Sequence, residues 1–250
     1  MRSNRALLLG LTGILSACDA SGPSTQGRVE MNVATRPAAG ASASTMSLAV
    51  TSPTPGSYTD GTNTLVLTRV QVVLREIELE RAGIDDVPCA AADDDICEEL
   101  SIGPLLVDLP LTAGPEQTVV VDIAPGTYDE IEFEIHKPTD DDDPEFVAAN
   151  PAFNDRSIRV EGTFNGTPFV FTTDLNLEQE LDLAPPLVIE QSGAVDLTLF
   201  VDVGAWFQSG GNLIDPASGN IGQPNEGVVK ANIQNSIQAF EDDDEDARDD

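Results

Sequence analysis

Thr64-Leu65-Val66-Leu67-Thr68-Arg69-Val70-Gln71-Val72-Val73-Leu74-Arg75-Glu76-Ile77-Glu78-Leu79-Glu80-Arg81 is the stretch on which the fold turns. Apolar and polar residues alternate along it, the period-2 pattern of a strand with one face buried. Val66, Val70, Val72 and Leu74 share one parity, with Thr68 between them. Beyond Leu74 the apolar positions become Ile77 and Leu79, and Glu76, Glu78 and Glu80 take the former core parity. A buried face that changes phase by one residue needs an extra residue in the strand, so the pattern predicts a β-bulge or break near Arg75. A helix through 73–80 is the competing reading, and the regularity of the alternation favours the strand.

The same periodicity recurs on both sides. Val29, Met31 and Val33 alternate with polar or small residues and predict a first short strand. Leu105 to Leu109 is an apolar run stopped by Pro110. Val119, Val121 and Ile123 lead into Ala124-Pro125-Gly126-Thr127, a turn signal. Ile131, Phe133 and Ile135 then alternate with Glu130, Glu132, Glu134 and His136, predicting a one-sided strand with a polar outer face. Ile158, Val160 and Phe164 run into Asn165-Gly166, followed by Phe169 and Phe171, which predicts a type I′ hairpin. Further strands are expected at 187–190 and 195–203, with loops over 37–44 and 52–62. Only the end departs from this rhythm: Val229, Ile233, Ile237 and Phe240 fall at helical spacing behind a candidate cap, Asn225. The expectation is therefore an all-β, antiparallel β-sandwich with one short C-terminal helix at about 226–240.

The N-terminus carries an address. Arg2 and Arg5 precede an apolar run from Ala6 to Leu15, and two small residues then lead to Cys18. This is the layout of a secretory signal peptide over 1–17, too short to span a bilayer, which takes roughly 20 residues. Leu15-Ser16-Ala17-Cys18 resembles the lipobox of bacterial lipoproteins. The resemblance implies lipidation of Cys18 and a bacterial cell-envelope location, lipid-anchored to a membrane and facing the periplasm or exterior; more than one acyl chain suffices for stable anchoring. Asp19 resembles the inner-membrane retention signal of enterobacterial lipoproteins. The organisation expected behind it is a lipidated cysteine and tether over 18–27, a β-sandwich over 28–206, a loop and short helix packed on it over 207–240, and an acidic tail over 241–250.

The chain holds 44 acidic and 12 basic residues, a net charge of −32, and loss of the leader with its two arginines makes the mature chain more negative still. Such a field repels nucleic acid and excludes it as a partner. A hydrophobic content of 40% is enough for a packed core despite the charge, and with 5% aromatics that core rests on Val, Leu and Ile. Cys89 and Cys97 are more readily a disulfide than a metal pair in an exported protein. A bridge would close a loop holding Asp93 to Asp95, a stabilisation of roughly 2–3 kcal/mol.

Acidic runs recur at Asp85-Asp86, Asp93 to Asp95, Asp140 to Asp143 and Glu241 to Asp246. Oxygen-rich loops are what Ca2+ requires. Asp242, Asp244 and Asp246 resemble the Asp-x-Asp-x-Asp-Gly loops of calcium-binding repeats, although Ala247 stands where the turn glycine belongs. They are the candidate calcium ligands, with Asp140 to Asp143 as a second run. A solvated acidic tail, or adaptation to high salt, explains the same residues without a metal. His136, the sole histidine, reads as a structural surface residue. No nucleophile elbow, phosphate loop, dinucleotide fingerprint or zinc motif is present, and with 44 acids a glycosidase-like carboxylate pair carries no information. Trp206-Phe207 is expected to pack under a neighbouring loop or the terminal helix; stacking on a sugar or anchoring a partner is the alternative.

Leu67 to Val72, Leu105 to Leu109 and Ala124 to Ile131 together, in order and spacing, resemble a domain-of-unknown-function family of bacterial lipoproteins. The resemblance covers about 28–137 and implies an immunoglobulin-like or transthyretin-like β-sandwich on a lipid anchor, with no catalytic residues to carry over. The charged insertion at 85–99 departs from the plainer hairpin expected there. The function expected is that of a lipid-anchored, non-enzymatic module presenting a binding or scaffolding surface to a protein or glycan partner, without cofactor. The alternative is a calcium-dependent adhesion or carbohydrate-binding module.

Overall fold

The computed structural model describes residues 26–35, 51–54, 56–82, 97–100, 103–111 and 116–241. The signal peptide, Cys18, the tether up to residue 25, Cys89 and the tail with Asp242, Asp244 and Asp246 lie outside the described residues, and of Cys97 only the backbone position is described. The strands in chain order are β1 (Gly27–Ala34), β2 (Thr51–Thr54), β3 (Ser57–Thr59), β4 (Thr64–Arg81), β5 (Cys97–Leu100), β6 (Leu105–Asp108), β7 (Glu116–Ile123) and β8 (Gly126–Ile135). They continue with β9 (Ile158–Phe164), β10 (Thr167–Thr173), β11 (Leu177–Ile189), β12 (Ala194–Val201), β13 (Gln208–Ser209), β14 (Asn212–Leu213) and β15 (Ile237–Glu241). Helix α1 (Pro144–Ala149) lies between β8 and β9, and α2 (Glu226–Gln234) precedes β15. The fold is all-β. Among the described residues no helix is long and apolar enough to cross a membrane.

Two sheets face each other. One has the order β15-β12-β1-β7; the other is built around β4. Along one edge β4 pairs first with β9 (Leu65 to Val72) and then with β8 (Leu74 to Arg81); along the other it meets β3, β6 and β5 in turn. Val29, Met31, Val33, Leu197 and Leu199 from the first sheet pack on Leu74, Ile77, Leu79, Ile131, Phe133 and Ile135 from the second, all 5% exposed or less. The pairing is antiparallel except between β1 and β12, which run parallel. Side-chain alternation carries no strand direction. A parallel pair needs a long crossover rather than a tight turn, and here most of the chain intervenes between Val29 and its partner Val195.

The bulge near Arg75 is present. The β4–β8 register shifts between Arg75 and Ile77, and Glu76 takes a left-handed φ of 50°. A second shift, between Leu67 and Arg69 against β9, was not anticipated. Ahead of it Leu65 and Leu67 are buried and Val66 is only half-buried, the reverse of the expected parity. Three consecutive apolar residues leave the phase of an alternation undetermined, so this bulge has no signature in the sequence. The Asn165-Gly166 turn is type I′, with φ of 51° and 80° joining β9 to β10.

The terminal helix is shorter than its spacing suggested. α2 buries Val229 and Ile233, but Ile237 opposite Val201 already belongs to β15, which adds an edge strand to the first sheet. Apolar residues four apart satisfy both a helical stripe and an even-numbered strand face, which is why the two elements read as one. Trp206 is fully buried, its Nε1–H donating to Ser236 Oγ at 2.7 Å, and Phe207 meets Phe171 edge-on at 5.1 Å. The pair therefore packs. The free edge of β10 is taken by one side chain: Asn220 Oδ1 accepts from Thr172 N–H at 2.9 Å and Asn220 Nδ2 donates to the Val170 carbonyl at 3.5 Å.

Gly162 faces Leu67 across the unanticipated bulge, and a Cβ there would run into the Val66 carbonyl oxygen. Gly162→Ala is expected to lower stability by about 1–3 kcal/mol, the cost of forcing atoms into a packed site, read from the urea midpoint at unchanged m-value.

A carboxylate ladder as the candidate functional site

β8 presents Ile131, Phe133 and Ile135 to the core, so Glu130, Glu132 and Glu134 point outwards. β4 beyond its second bulge does the same with Glu78 and Glu80, and β11 with Glu178, Glu180 and Asp182. Antiparallel register then lines these residues up across strands. Glu78 stands opposite Glu132, which stands opposite Glu180; Glu80 opposite Glu130, opposite Asp182; Arg75 opposite Glu134, opposite Glu178. Neighbouring strands lie about 4.8 Å apart and alternate residues of one strand about 6.8 Å, so the outer face is a grid of carboxylates. Like charges directly opposite one another destabilise a sheet.

The grid responds by holding protons. Burial, followed by a hydrogen bond with Glu178 and the carboxylates of Glu178, Glu78 and Glu180, pushes the Glu132 carboxyl up to about 8. Burial, and then Glu80, Glu180, Asp182 and Asp129, also raise Glu130. Arginines stand at the two ends. Arg75 pairs with Glu134 at 2.8 Å and Glu76 at 3.1 Å, and Arg81 lies over the Tyr128 ring, 5.2 Å from its centroid. One oxygen each from Glu132, Glu178 and Glu180 fall within 4.8 Å of one another, a spacing a divalent cation can bridge. The hydrogen bond between Glu132 and Glu178 leaves no room between them for a scissile bond, since glycosidase carboxyls stand about 5–9.5 Å apart.

Of the candidate calcium residues singled out from the sequence, Asp242, Asp244 and Asp246 lie outside the described residues, and Asp140 to Asp143 stand apart from this grid. Asp140 to Asp143 form a turn in which three of the carboxylates are already engaged. Asp140 Oδ2 accepts from Asn154 Nδ2 at 2.8 Å, Asp142 Oδ2 from Thr139 Oγ1 at 2.9 Å, and Asp143 Oδ2 lies 2.7 Å from His136 Nε2. His136 itself is a correction. It is 5% exposed rather than a surface residue, because β8 ends at Ile135 and the chain turns His136 under the loop that carries Asp143. The β11 carboxylates were missed altogether: no strand was expected over 177–186, although Leu177, Leu181 and Leu183 alternate with Glu178, Glu180 and Asp182. That alternation was the available signal. The cross-strand stacking is a property of register and has none.

No family model, curated protein or solved structure matches this chain.

A folded carboxyl that keeps its proton to higher pH than the unfolded one favours folding below the ordinary carboxylate range and loses that contribution as pH rises. The melting temperature should therefore decline between about pH 5 and pH 8, the upper bound being the raised Glu132 value. Glu132→Gln, which keeps a hydrogen-bond donor towards Glu178 and adds no charge, should flatten the decline and melt higher than wild type at pH 9. Parallel Tm–pH curves for the two proteins would remove the ladder as its source.

Proposed function

We propose that this protein is a lipid-anchored, non-enzymatic binding module of the bacterial cell envelope, and that the surface it presents is the carboxylate ladder of β4, β8 and β11. The observation that carries the reading is the register that stacks Glu78, Glu132 and Glu180 in one row and Glu80, Glu130 and Asp182 in the next. A sheet that depended only on its own stability would interleave opposite charges there, and places where a local rule is broken are where function is expected. The lipobox-like Leu15-Ser16-Ala17-Cys18 supports the anchorage, and the likeness of Leu67 to Val72, Leu105 to Leu109 and Ala124 to Ile131 to lipoproteins of the domain-of-unknown-function family agrees with it. The partner is a cationic feature of a protein or a glycan-associated cation, not nucleic acid. In a bacterial host the wild-type chain should partition into the detergent phase of a Triton X-114 extract and Cys18→Ala into the aqueous phase; a wild-type chain in the aqueous phase contradicts the anchor.

A second reading, a calcium-dependent adhesion or carbohydrate-binding module, is favoured by the approach of Glu132, Glu178 and Glu180 oxygens within 4.8 Å. Calcium takes oxygens at 2.3–2.6 Å, so such a group can share one ion. At about 100 times its Kd, calcium would stabilise the fold by about 2.7 kcal/mol. The expected outcome is a Tm rise in millimolar calcium at fixed ionic strength, reversed by EDTA and reduced in Glu180→Gln. An unchanged Tm removes the calcium reading and leaves metal-independent binding.

A further inference from the structure

Asn165-Gly166, the sole Asn-Gly pair in the chain, forms the two-residue loop between β9 and β10. Both residues are exposed. The ladder closes at Phe164 opposite Thr167, so the Gly166 N–H stands outside it. Glycine has no Cβ to shield that nitrogen. A backbone nitrogen so placed is the nucleophile that closes an asparagine side chain into a succinimide, the first step of deamidation.

Against the reaction stands an anchor on the carboxamide. Asn165 Oδ1 accepts from Thr64 N–H at 2.9 Å, and Asn165 Nδ2 donates to Asn63 Oδ1 at 2.9 Å. Asn63 Nδ2 donates in turn to Asp60 Oδ2 at 3.1 Å, and the same oxygen accepts from Leu213 N–H at 2.9 Å. The relay joins the β9–β10 loop to the β3–β4 turn and to β14. Its polarity is set at the far end. The N–H groups of Asn63, Leu213 and Thr62 hold the Asp60 carboxyl far below the usual carboxylate range, so it stays ionised and only accepts. Asn63 must then turn its amide nitrogen to Asp60, which leaves its oxygen for residue 165. A donor is needed there. Asparagine supplies one, and an ionised aspartate has none.

We propose that Asn165 is a modification site: the folded chain deamidates there spontaneously, at a rate set by opening of the Asn63 anchor, and the product releases the β9–β10 loop from the β3–β4 turn. Hydroxide takes the Gly166 N–H proton, and that nitrogen bonds to Asn165 Cγ. The Cγ–Nδ2 bond breaks, and the departing nitrogen takes a proton back as ammonia leaves. Water then opens the ring at either carbonyl to give aspartate or isoaspartate. The net change is uptake of one water and loss of one ammonia, with nothing oxidised or reduced. Both products lack the Nδ2 donor, and aspartate sets acceptor against acceptor at Asn63 Oδ1. The change is one-way and accumulates with the age of the molecule. This inference is independent of what the ladder binds.

The test is incubation of the whole chain at pH 8.5, with conversion at Asn165 followed by mass spectrometry of its peptides. Three samples run in parallel: the native chain, the same chain unfolded in urea, and Asn63→Ala. The native chain should convert at Asn165, roughly tenfold more slowly than the unfolded one, because the carboxamide must first leave its partners. Asn63→Ala, which removes one of those hydrogen bonds, should convert about fivefold faster than native wild type. Asn165→Asp carries the new carboxylate without a rearranged backbone. It should melt about 2–4 °C below wild type. A native chain that stays intact at Asn165, or that converts as fast as the unfolded one, overturns the proposal. Equal rates in wild type and Asn63→Ala do the same, as does an Asn165→Asp chain that melts with wild type. Should Asn63→Ala fail to fold, the comparison of native with unfolded chain and the melting of Asn165→Asp decide.

Discussion

One strand has to keep a single apolar face on the core while serving two partners in succession along the same edge, and the sandwich depends on how β4 does this. Its buried residues pass from Leu65 and Leu67 to Val70, Val72 and Leu74, and then to Ile77 and Leu79. Each change of parity coincides with a register shift, the first against β9 and the second against β8. A bulge adds one residue, bends the strand and restores its buried side. Without the second bulge, Glu76, Glu78 and Glu80 would face Phe133 and Met31, and an unpaired buried charge costs several kcal/mol. Against this, holding Glu76 at a positive φ costs about 1–2 kcal/mol. Burial wins by a wide margin.

The ladder is the other side of that choice. Once Ile77 and Leu79 are committed inwards opposite Phe133 and Ile131, the glutamates between them have only one direction left, and β11 repeats the arrangement with Glu178, Glu180 and Asp182. Two lysines in the whole chain leave few positive side chains to interleave. Arg75 and Arg81 are held at the ends of the grid, by Glu134 and by the Tyr128 ring. The central carboxyl, Glu132, then meets its neighbours by sharing a proton with Glu178. Core packing thus dictates where the acids stand, and the scarcity of lysine leaves acid opposite acid in the two central rows.

Alternation was a sound guide wherever one apolar residue was followed by one polar residue, as in β8, in β1 and at the second bulge. It failed where the pattern was degenerate. Leu65-Val66-Leu67 hides the first bulge, and Val229, Ile233 and Ile237 fit helix and strand alike. In β11 the pattern was present, but the half-buried Gln179 and the following Pro185-Pro186 disguised a strand that begins at Leu177. The ladder belongs to a different order of information. The glutamates of β4 and β8 were legible as outward residues of their own strands, whereas their alignment follows from which strands pair and in what register. His136 shows the same limit in miniature, since its burial comes from a loop folding back on it and not from its own strand.

Asn220 closes the second sheet in a way that matters beyond the single molecule. Its amide mimics a peptide group, meeting Thr172 N–H and the Val170 carbonyl on the free edge of β10, beside Pro168, which has no N–H to offer. An open edge is a template for another chain. On the envelope reading proposed above, copies of this protein would share a membrane surface, all oriented alike and confined to two dimensions, where encounters between equivalent edges are far more frequent than in free solution. A single side-chain amide standing in for a missing strand occupies two of the backbone groups that such an encounter of β10 edges would use.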